Sequence, residues 1–397
     1  MRIAIISPLP PEQSGIADYA QAFSHALEAA GLTVSTPFRA QALSPQPDGL
    51  HQQMQAVNWQ AVDLVHVELG GGRNAEYLAV QWLARHMPDL PVTATVHDPD
   101  RLIWKPALVP GWMQRLPRAL YQVLVLLRNP LTLVEERKTA AHLAAIVTLT
   151  RTGAQSLTER MRLKPGQVHT IPHGNLEIPG APLPPLPGNG PLKLLYFGFI
   201  YRGKGIEDLI DALEMLAFRQ PDTLTTVELT LAGGTQPDMA FGHESSYLDS
   251  LRQRLQDSGL AQLTVNWRLD INQVDIPALI QDHHVMILPY HESLKLAWLG
   301  RMHGTSGALS WAAACGRCVI ASDARAFAEE VAYGNGVVYP QGDCAALAHE
   351  IARLLADPEI LVQRCHAAGQ LGIDRGWSRV AQQFRDLFWQ VAQGRTA

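Results

Sequence analysis

The segment Leu192–Leu216, LKLLYFGFIYRGKGIEDLIDALEML, restricts the possible folds more than any other part of this chain. Its apolar run Leu194–Phe197 predicts a buried strand, and the apolar residues that recur every three or four positions from Ile206 predict one face of a helix. A glycine-rich loop with Arg202 and Lys204 lies between them. Such a loop directs backbone N–H groups, the positive end of the helix dipole and both cations at one place. We expect this loop to hold phosphate.

The same pattern also fits an ordinary strand–turn–helix unit with solvated Arg and Lys, because Gly203 and Gly205 complete neither a dinucleotide fingerprint nor a P-loop. The position of this stretch favours the phosphate interpretation. The segment Leu192–Leu216 directly follows residues 176–191, LEIPGAPLPPLPGNGP, which are dense in proline and glycine. Such a segment is stiff and extended, so we interpret it as a domain linker.

Size and composition favour a globular protein of two domains. A chain of 397 residues exceeds what one hydrophobic core usually organises. A net charge of -5 does not favour nucleic acid as a partner. No apolar run is long enough to span a membrane. Cys315 and Cys318 resemble half a zinc site, but no second close pair accompanies them, so we interpret them as core residues of a protein from a reducing, cytoplasmic compartment.

Short apolar runs alternate with helical patterns on both sides of the linker. This alternation is typical of α/β proteins with doubly wound, Rossmann-like parallel sheets. We expect one such domain over residues 1–175 and a second over residues 192–376. A strongly amphipathic helix should follow over residues 377–397 and cover the first domain.

Residues 101–134 interrupt the alternation of the first half. The run Leu116–Val134 is rich in Leu and Val, contains Arg118 and Arg128, and has no acidic residue. We consider a buried helical hairpin the better interpretation. The alternative is a basic, apolar surface that rests on a membrane or binds a lipid-linked molecule.

Polar residues follow the strands of the first half, where parallel sheets bind ligands. Gly15 follows the first strand, Glu68 ends the third, and His97 follows the fourth. Gly15 also has a purely structural interpretation as a turn glycine, and His97 has one as a satisfied interior histidine.

The stretch His303–Asp323, HGTSGALSWAAACGRCVIASD, is the second candidate site. Thr305 or Ser306 is a suitable N-cap for a helix that starts at Gly307. Uncapped N–H groups at Ser306–Ala308 would face the same cleft as the Lys204 loop, and together they could neutralise a diphosphate without a metal ion.

These motifs, taken in order, resemble those of the retaining glycosyltransferases of the GT-B fold, family 4 type, over nearly the whole chain. The resemblance implies two Rossmann-like domains that face a central cleft. The segments that carry it are SPLPPEQSGIADY, HD at His97, VTLTRTGAQSL, IPHG, YFGFIYRGKGIEDLIDAL, LTLAGG, ILPYHES, SGALSWAAACGRCVIASD with AEEV, and the helix that Trp377 opens.

The resemblance also implies roles for individual residues. A nucleotide-diphosphate sugar would bind mainly to the second domain, and a glycan or lipid-linked acceptor to the first. His97 would lie near the transferred sugar, and Glu292 is a further catalytic candidate. The diphosphate would be bound by Gly15, Arg202, Lys204, Ser306 and Gly307. Residues near the donor sugar or nucleotide would be Glu68, Gly198, His303, Ala308, Trp311 and Glu330.

The sequence departs from the family pattern at two places. The family often carries a Glu-x7-Glu signature whose second Glu binds the ribose, and Trp311 stands there. His303 aligns with the first Glu, although Glu292 is a better chemical candidate unless it pairs with Lys295 or Arg301. The glycine after the strand is followed by Phe199 where Arg is usual.

Asp98-Pro99-Asp100 resembles the metal-binding motif of the other glycosyltransferase fold, but we interpret it as a loop turn. We therefore expect no metal, no cofactor, and activity that survives chelation. The expected function is sugar transfer in bacterial surface polysaccharide or glycolipid assembly. We expect a cytoplasmic protein, and a peripheral position at the inner membrane face is a hypothesis. A non-catalytic relative and a GT-B epimerase or phosphorylase remain alternatives, and the oligomeric state stays open.

Overall fold

The computed structural model describes residues 1–12, 14–70, 72–104, 106–109, 113, 115–234, 245–292, 297 and 299–394. The chain divides into two compact units. Unit 1 contains Met1–Gly174, Leu294–Thr305 and Trp377–Ala397, and unit 2 contains Asn175–Ser293 and Ser306–Gly376.

Unit 1 is built on a six-stranded parallel sheet of order β2-β1-β3-β4-β5-β6. The strands are β1 Arg2–Ile6, β2 Thr33–Ser35, β3 Leu64–Leu69, β4 Val92–Val96, β5 Ala145–Thr148 and β6 Val168–Thr170. The helices are α1 Gly15–Ala29, α2 Pro47–Gln55, α3 Asn74–His86, α4 Arg118–Ala141 and α5 Arg151–Met161, and the chain-terminal helix described below.

Unit 2 is built on a second six-stranded parallel sheet, of order β12-β11-β10-β7-β8-β9. Its strands are β7 Leu192–Phe197, β8 Val227–Gly233, β9 Thr264–Leu269, β10 Val285–Leu288, β11 Cys318–Ser322 and β12 Gly336–Tyr339. Its helices are α6 Ile206–Arg219, α7 Ser245–Asp257, α8 Ile276–Gln281, α9 Gly307–Ala314, α10 Phe327–Glu330, α11 Cys344–Ala356 and α12 Pro358–Asp374.

The two parallel sheets confirm the predicted fold class. In each sheet the order of strands reverses once, between β1 and β3 in unit 1 and between β7 and β10 in unit 2. Loops at such a switch point diverge and leave a crevice beyond the carboxyl ends of the strands. The switch points therefore place the loops after β1 and β3 together in unit 1, and those after β7 and β10 together in unit 2.

The last helix, α13 Trp377–Ala392, packs on α1 in unit 1, as predicted. Its buried face includes Phe384, whose ring centroid lies 4.5 Å from that of Phe23. The Trp377 ring occupies the space that a Cβ at Gly174 would need, since such an atom would lie 2.3 Å from the indole.

One segment lies in a different unit from the one expected. Residues 294–305 were assigned to the second domain, but they belong to unit 1. The backbone N–H of Arg301 donates to Asp100 Oδ2 at 2.8 Å, and the Leu299 carbonyl accepts from the Arg101 and Arg160 side chains. These hydrogen bonds join residues far apart in sequence, and local patterns do not encode them.

The apolar segment 101–134 also differs from the preferred expectation. A hairpin was expected, but from residue 118 the described part forms the single helix α4, and the expected helix over residues 133–143 is its C-terminal part. Positions 105, 110–112 and 114 lie outside the described residues. No described helix is both long and apolar enough to cross a membrane.

Candidate functional site

The loop after β7 packs against the residues that follow β10. Gly205 has φ +69, and a Cβ at this position would lie 1.6 Å from the Pro289 carbonyl oxygen. Only glycine allows this approach. The His291 N–H donates to the Gly203 carbonyl at 3.0 Å and joins the two loops. The switch point of unit 2 thus brings Lys204 to Tyr290.

Lys204 is a buried cation, with only 9% of its surface exposed. Its Nζ lies 3.7 Å from the centroid of the Tyr290 ring and 5.0 Å from that of Tyr201. Among the residues that the structure describes, no carboxylate lies within ion-pair distance of Lys204. Buried charges are normally paired, so the surroundings of Lys204 suit an anion supplied from outside the chain.

Tyr290 is a site residue that the sequence interpretation missed. Its hydroxyl lies 3.3 Å from Ser306 Oγ, and the side chain is 4% exposed. Burial alone would raise the pKa of Tyr290, but the Lys204 charge, the hydrogen bond with Ser306 and the nearby Arg325 guanidinium outweigh it and lower the pKa. A Cβ at Gly198 would lie 3.6 Å from this hydroxyl, so the glycine keeps the space beside it open. The available signal was the position of Tyr290 directly after a buried strand.

Ser306 caps helix α9, as expected. Its Oγ accepts from the Ala308 N–H at 3.3 Å, which corrects the expectation that the Ala308 amide is uncapped. The Gly307 N–H has no acceptor within the helix because it belongs to the first turn. Nothing lies within 4 Å of the position of a Cβ at Gly307, so its backbone is accessible.

Arg202 does not join this cluster. It is exposed, and its guanidinium carbon lies 5.0 Å from the centroid of the Tyr247 ring on α7. The two cations of the loop therefore contact different aromatic rings. Lys204 lies on Tyr290, and Arg202 lies on Tyr247.

Glu292 stabilises a neighbouring turn. Its Oε2 accepts from the backbone N–H of Arg325 at 2.9 Å, where Arg325 has the left-handed φ of +55. Its own N–H donates to Gln341 Oε1 at 2.9 Å. Of the two proposed partners, Lys295 lies outside the described residues and the Arg301 N–H donates to Asp100. A catalytic role for Glu292 stays a prediction.

Trp311 and Glu330 lie in different surroundings. The Trp311 ring is partly buried and meets the Phe197 ring edge to face, with centroids 6.4 Å apart. Glu330 is buried and accepts from Arg375 Nη1 at 2.8 Å. The pair neutralises both buried charges, so a structural role explains Glu330 without a ligand.

The polar residues of unit 1 form a buried chain of hydrogen bonds at the ends of β3 and β4. His97 Nε2 lies 2.7 Å from Glu68 Oε2, and His66 Nε2 lies 3.3 Å from Glu68 Oε1. His66 also bonds to the hydroxyls of Thr93 and Thr95, at 2.8 and 2.9 Å. The pairing of Glu68 with Thr95 across β3 and β4 sets this arrangement.

Glu68 is ionised under ordinary conditions. Burial is the largest influence and alone would raise its pKa, but hydrogen bonds and positive charge from His66 and His97 outweigh burial and lower the pKa to about 2. Because a carboxylate only accepts hydrogen bonds, His97 carries a proton on Nε2 and donates a hydrogen bond from Nε2 to Glu68. Glu68 thereby fixes the orientation of the His97 ring.

His303 lies in unit 1, next to Pro99, which follows His97 and Asp98 in the chain. Its N–H donates to the Pro99 carbonyl at 3.2 Å, and its own carbonyl accepts from Thr150 Oγ1 at 2.8 Å. A Cβ at Gly304 would lie 2.3 Å from the His97 carbonyl oxygen. His303 therefore belongs to unit 1, whereas the sequence assigned it to the second domain.

Gly15 starts helix α1, and nothing lies within 4 Å of the position of a Cβ there. Ser14 Oγ accepts from the Ala17 N–H, and Arg73 Nη2 donates to Ser14 Oγ at 3.0 Å and to Glu12. Arg73 is a second residue that the sequence interpretation missed.

Asp100 holds the turn after β4 and has φ +107. Its Oδ1 accepts from Ser156 Oγ at 2.8 Å and its Oδ2 accepts from the Arg301 N–H. Within the described residues, no three His, Cys, Asp or Glu side chains are grouped so that they could hold a metal ion.

Comparison with protein families identifies part of the chain. Residues 191–357 match the family model described as glycosyl transferases group 1. The match covers less than half of the chain and makes this part similar to group 1 glycosyl transferases. The matched part includes Lys204, Tyr290 and Ser306, whereas Glu68 and His97 precede it.

Two further comparisons agree with this family. Glycogen synthase of Mycobacterium tuberculosis is 28% identical over 212 residues, which are 52% of this chain and 45% of that protein, so the match spans less than half of the relative. Among solved structures, sucrose-phosphate synthase of Thermosynechococcus elongatus superposes with a TM-score of 0.69 at 20% identity, covering 99% of this chain and 100% of that one. Anabaena HepE in complex with UDP gives 0.67 at 16% identity, covering 98% and 100%. These structures share the GT-B fold with the chain described here.

Proposed function

We propose that this protein is a retaining, metal-independent glycosyltransferase that uses a nucleotide-diphosphate sugar. The observation that carries the proposal is the buried Lys204, which has no carboxylate partner within the described residues. A donor diphosphate supplies the anion that this site lacks. The complexes of HepE with UDP and with UDP-glucose support a uridine nucleotide as the first donor to test.

In the proposed mechanism, negative charge grows on the leaving nucleoside diphosphate as the bond to the sugar breaks. Lys204, the Tyr290 hydroxyl and the Gly307 N–H stabilise that charge in the transition state. In this proposal, these groups of the chain take the place of a metal ion in stabilising the leaving group. The resemblance to retaining enzymes implies that His97 acts near the transferred sugar, with Glu68 holding its ring.

The acceptor is proposed from the resemblance as a glycan or a lipid-linked molecule that binds to unit 1. The same resemblance supports a role in bacterial surface polysaccharide or glycolipid assembly at the cytoplasmic side of the membrane as part of this proposal. Sugar phosphates are a further class to test, since a trehalose-phosphate synthase of similar fold, from Burkholderia xenovorans, was solved in complex with glucose-6-phosphate.

Mass spectrometry of nucleoside diphosphate release, from a panel of sugar nucleotides, tests the function. We expect slow release from one donor by the wild type, in EDTA as well as without it. Lys204→Ala should lose about 10²-fold or more in rate, because one electrostatic contact to the transition state is removed. Lys193→Ala is the matched control, since Lys193 lies near the opposite end of β7. The anomeric coupling constant of the product in proton NMR tests retention.

Two results would contradict the proposal. Unchanged turnover in Lys204→Ala would remove Lys204 from the mechanism, and activity lost in EDTA and restored by Mn²⁺ would show a metal requirement. If no sugar nucleotide of the panel releases nucleoside diphosphate and calorimetry detects no binding of any nucleotide, a non-catalytic binding protein would be favoured. In that protein, Trp311 at the position of the ribose-binding Glu would be the residue to explain.

A further inference from the structure

Helix α4 exposes a continuous row of large apolar side chains. Leu127 is 70% exposed and Leu131 is 62% exposed, and three further residues are about half exposed. The five residues are spaced by three or four positions, which places them on one face of the helix. We call this row the α4 stripe, and it consists of Leu120, Val123, Leu127, Leu131 and Val134.

The opposite face anchors only the C-terminal half of α4. Thr132, Glu136 and Ala140 are buried, and Glu136 pairs with the buried Arg101, whose Nε lies 2.9 Å from Oε1. From Leu120 to Leu131, every side chain is at least partly exposed. Unit 1 therefore does not cover the α4 stripe, and a contiguous apolar surface of this kind marks an interaction site.

The charges around the stripe are basic. Residues 101–134 contain five Lys and Arg and no Asp or Glu, in a chain whose net charge is -5. Arg101 is neutralised by Glu136, and of the other cations in the segment the structure describes the side chains of Arg115, which is exposed, and Arg128, which is partly exposed. Lys138 continues the stripe at its C-terminal end, and Glu135 is the acidic residue at its edge.

This combination identifies the kind of partner. An amphipathic helix with an apolar row and basic flanks suits the boundary between headgroups and acyl chains of an anionic bilayer. A second copy of the chain is a poorer fit, because a two-fold interface would bring the same cations together. We propose that the α4 stripe docks on an anionic lipid surface, with the helix lying in the plane of that surface.

Vesicle flotation tests this proposal directly. We expect the wild type to float with phosphatidylcholine vesicles that contain phosphatidylglycerol, and much less with phosphatidylcholine alone. The double variant Leu127→Ser and Leu131→Ser should bind at least about tenfold more weakly, since each buried methylene contributes to partitioning. Arg115→Gln combined with Arg128→Gln should weaken binding about fivefold per charge and reduce its dependence on salt.

Phe218→Ser is the matched control. Phe218 lies on α6 of unit 2 and is 91% exposed, so its loss removes exposed apolar surface without touching the α4 stripe. It should float like the wild type. The Leu127→Ser, Leu131→Ser protein should keep the wild-type melting temperature because both side chains are exposed.

Two outcomes would overturn the proposal. Equal flotation of the stripe variant and the wild type would show that another surface binds lipid. The stripe would instead bind a second copy of the chain if the wild type does not float and light scattering shows a wild-type dimer that the stripe variant does not form. Neither measurement needs a sugar nucleotide, so the result is independent of the donor chemistry.

Discussion

At the scale of single residues, the proposed chemistry of unit 2 centres on Lys204, a buried cation that has no carboxylate partner among the residues described. Lys204 is held against the face of Tyr290, where the ring offers a weaker attraction than a carboxylate would. A carboxylate at this place would compete with an incoming anion for the lysine. The aromatic partner therefore holds the ammonium group in position and leaves it available to a phosphate.

The Tyr290 hydroxyl can be tested separately from its ring. Tyr290→Phe keeps the ring beneath Lys204 and removes the hydrogen bond to Ser306. Loss of the proposed hydrogen bond between this hydroxyl and the diphosphate costs about 1 kcal/mol, so we expect nucleoside diphosphate binding, measured by calorimetry, to weaken about fivefold. Tyr201→Phe is the control, because it keeps the Tyr201 ring, whose centroid lies 5.0 Å from Lys204 Nζ. Equal affinity of Tyr290→Phe and the wild type would refute the role of the hydroxyl.

Glu68 makes a prediction about pH. Its pKa is about 2 in the folded protein and 4.5 in the reference state, so the ionised form stabilises the fold. This contribution, on the order of 3 kcal/mol, is complete above about pH 4.5 and disappears as the pH falls towards 2. Thermal unfolding should show a gap between the wild type and Glu68→Gln that is wide at neutral pH and narrows below pH 4.5.

Glu28→Gln is the control for that experiment, because Glu28 is an exposed carboxylate on α1 of the same unit. It should follow the wild type at every pH. A gap between the wild type and Glu68→Gln that widens on acidification would contradict the assigned sign.

At the scale of elements, the site of unit 2 depends on two loops at one switch point. The strands β7 and β10 are neighbours although α6, β8, α7, β9 and α8 lie between them in the chain. The loops that follow them can pack closely because Gly205 places no side chain against Pro289.

Two glycines of the Lys204 loop should respond differently to substitution. In Gly205→Ala the new Cβ would overlap the Pro289 carbonyl, so unit 2 should lose more than about 3 kcal/mol of stability together with nucleotide binding. In Gly203→Ala the nearest atom is 4.0 Å away, which leaves only the strain of a positive φ, about 1–2 kcal/mol. Chemical denaturation and calorimetry of both variants test this difference, and equal losses would contradict it.

At the scale of the whole molecule, the chain leaves unit 1 and returns to it twice. Residues 294–305 belong to unit 1, although segments of unit 2 lie before and after them in the sequence. Helix α13 also belongs to unit 1, although it follows unit 2 in the sequence. Unit 1 is therefore completed only after α13 has been synthesised, since α13 supplies part of its core.

Substitutions in α13 test this dependence. Phe384 is fully buried against Phe23, so Phe384→Ala should destabilise unit 1 by about 3–5 kcal/mol. Hydrogen exchange should then increase in β1 and β3 and stay unchanged in β7 and β10. Trp389→Ala, on the exposed side of the same helix, should change stability by less than about 1 kcal/mol. Loss of protection in β7 would show that the two units do not respond independently.

The sequence by itself determined the features that depend on neighbours along the chain. The alternation of strands and helices predicted two parallel sheets, the glycines predicted the loop around Lys204, and Ser306 was recognisable as an N-cap. Hydrophobic periodicity, positive φ and helix capping are local properties, and a reader of the sequence can see them directly.

The tertiary structure alone decided which distant residues meet. Tyr290 lies under Lys204 because β10 adjoins β7, and Glu330 is paired because the end of α12 brings Arg375 to it. It also carried residues 294–305 into unit 1 and left the α4 stripe uncovered. Strand order and the packing inside each unit set these contacts. Hydrophobic periodicity in the sequence specifies neither of them.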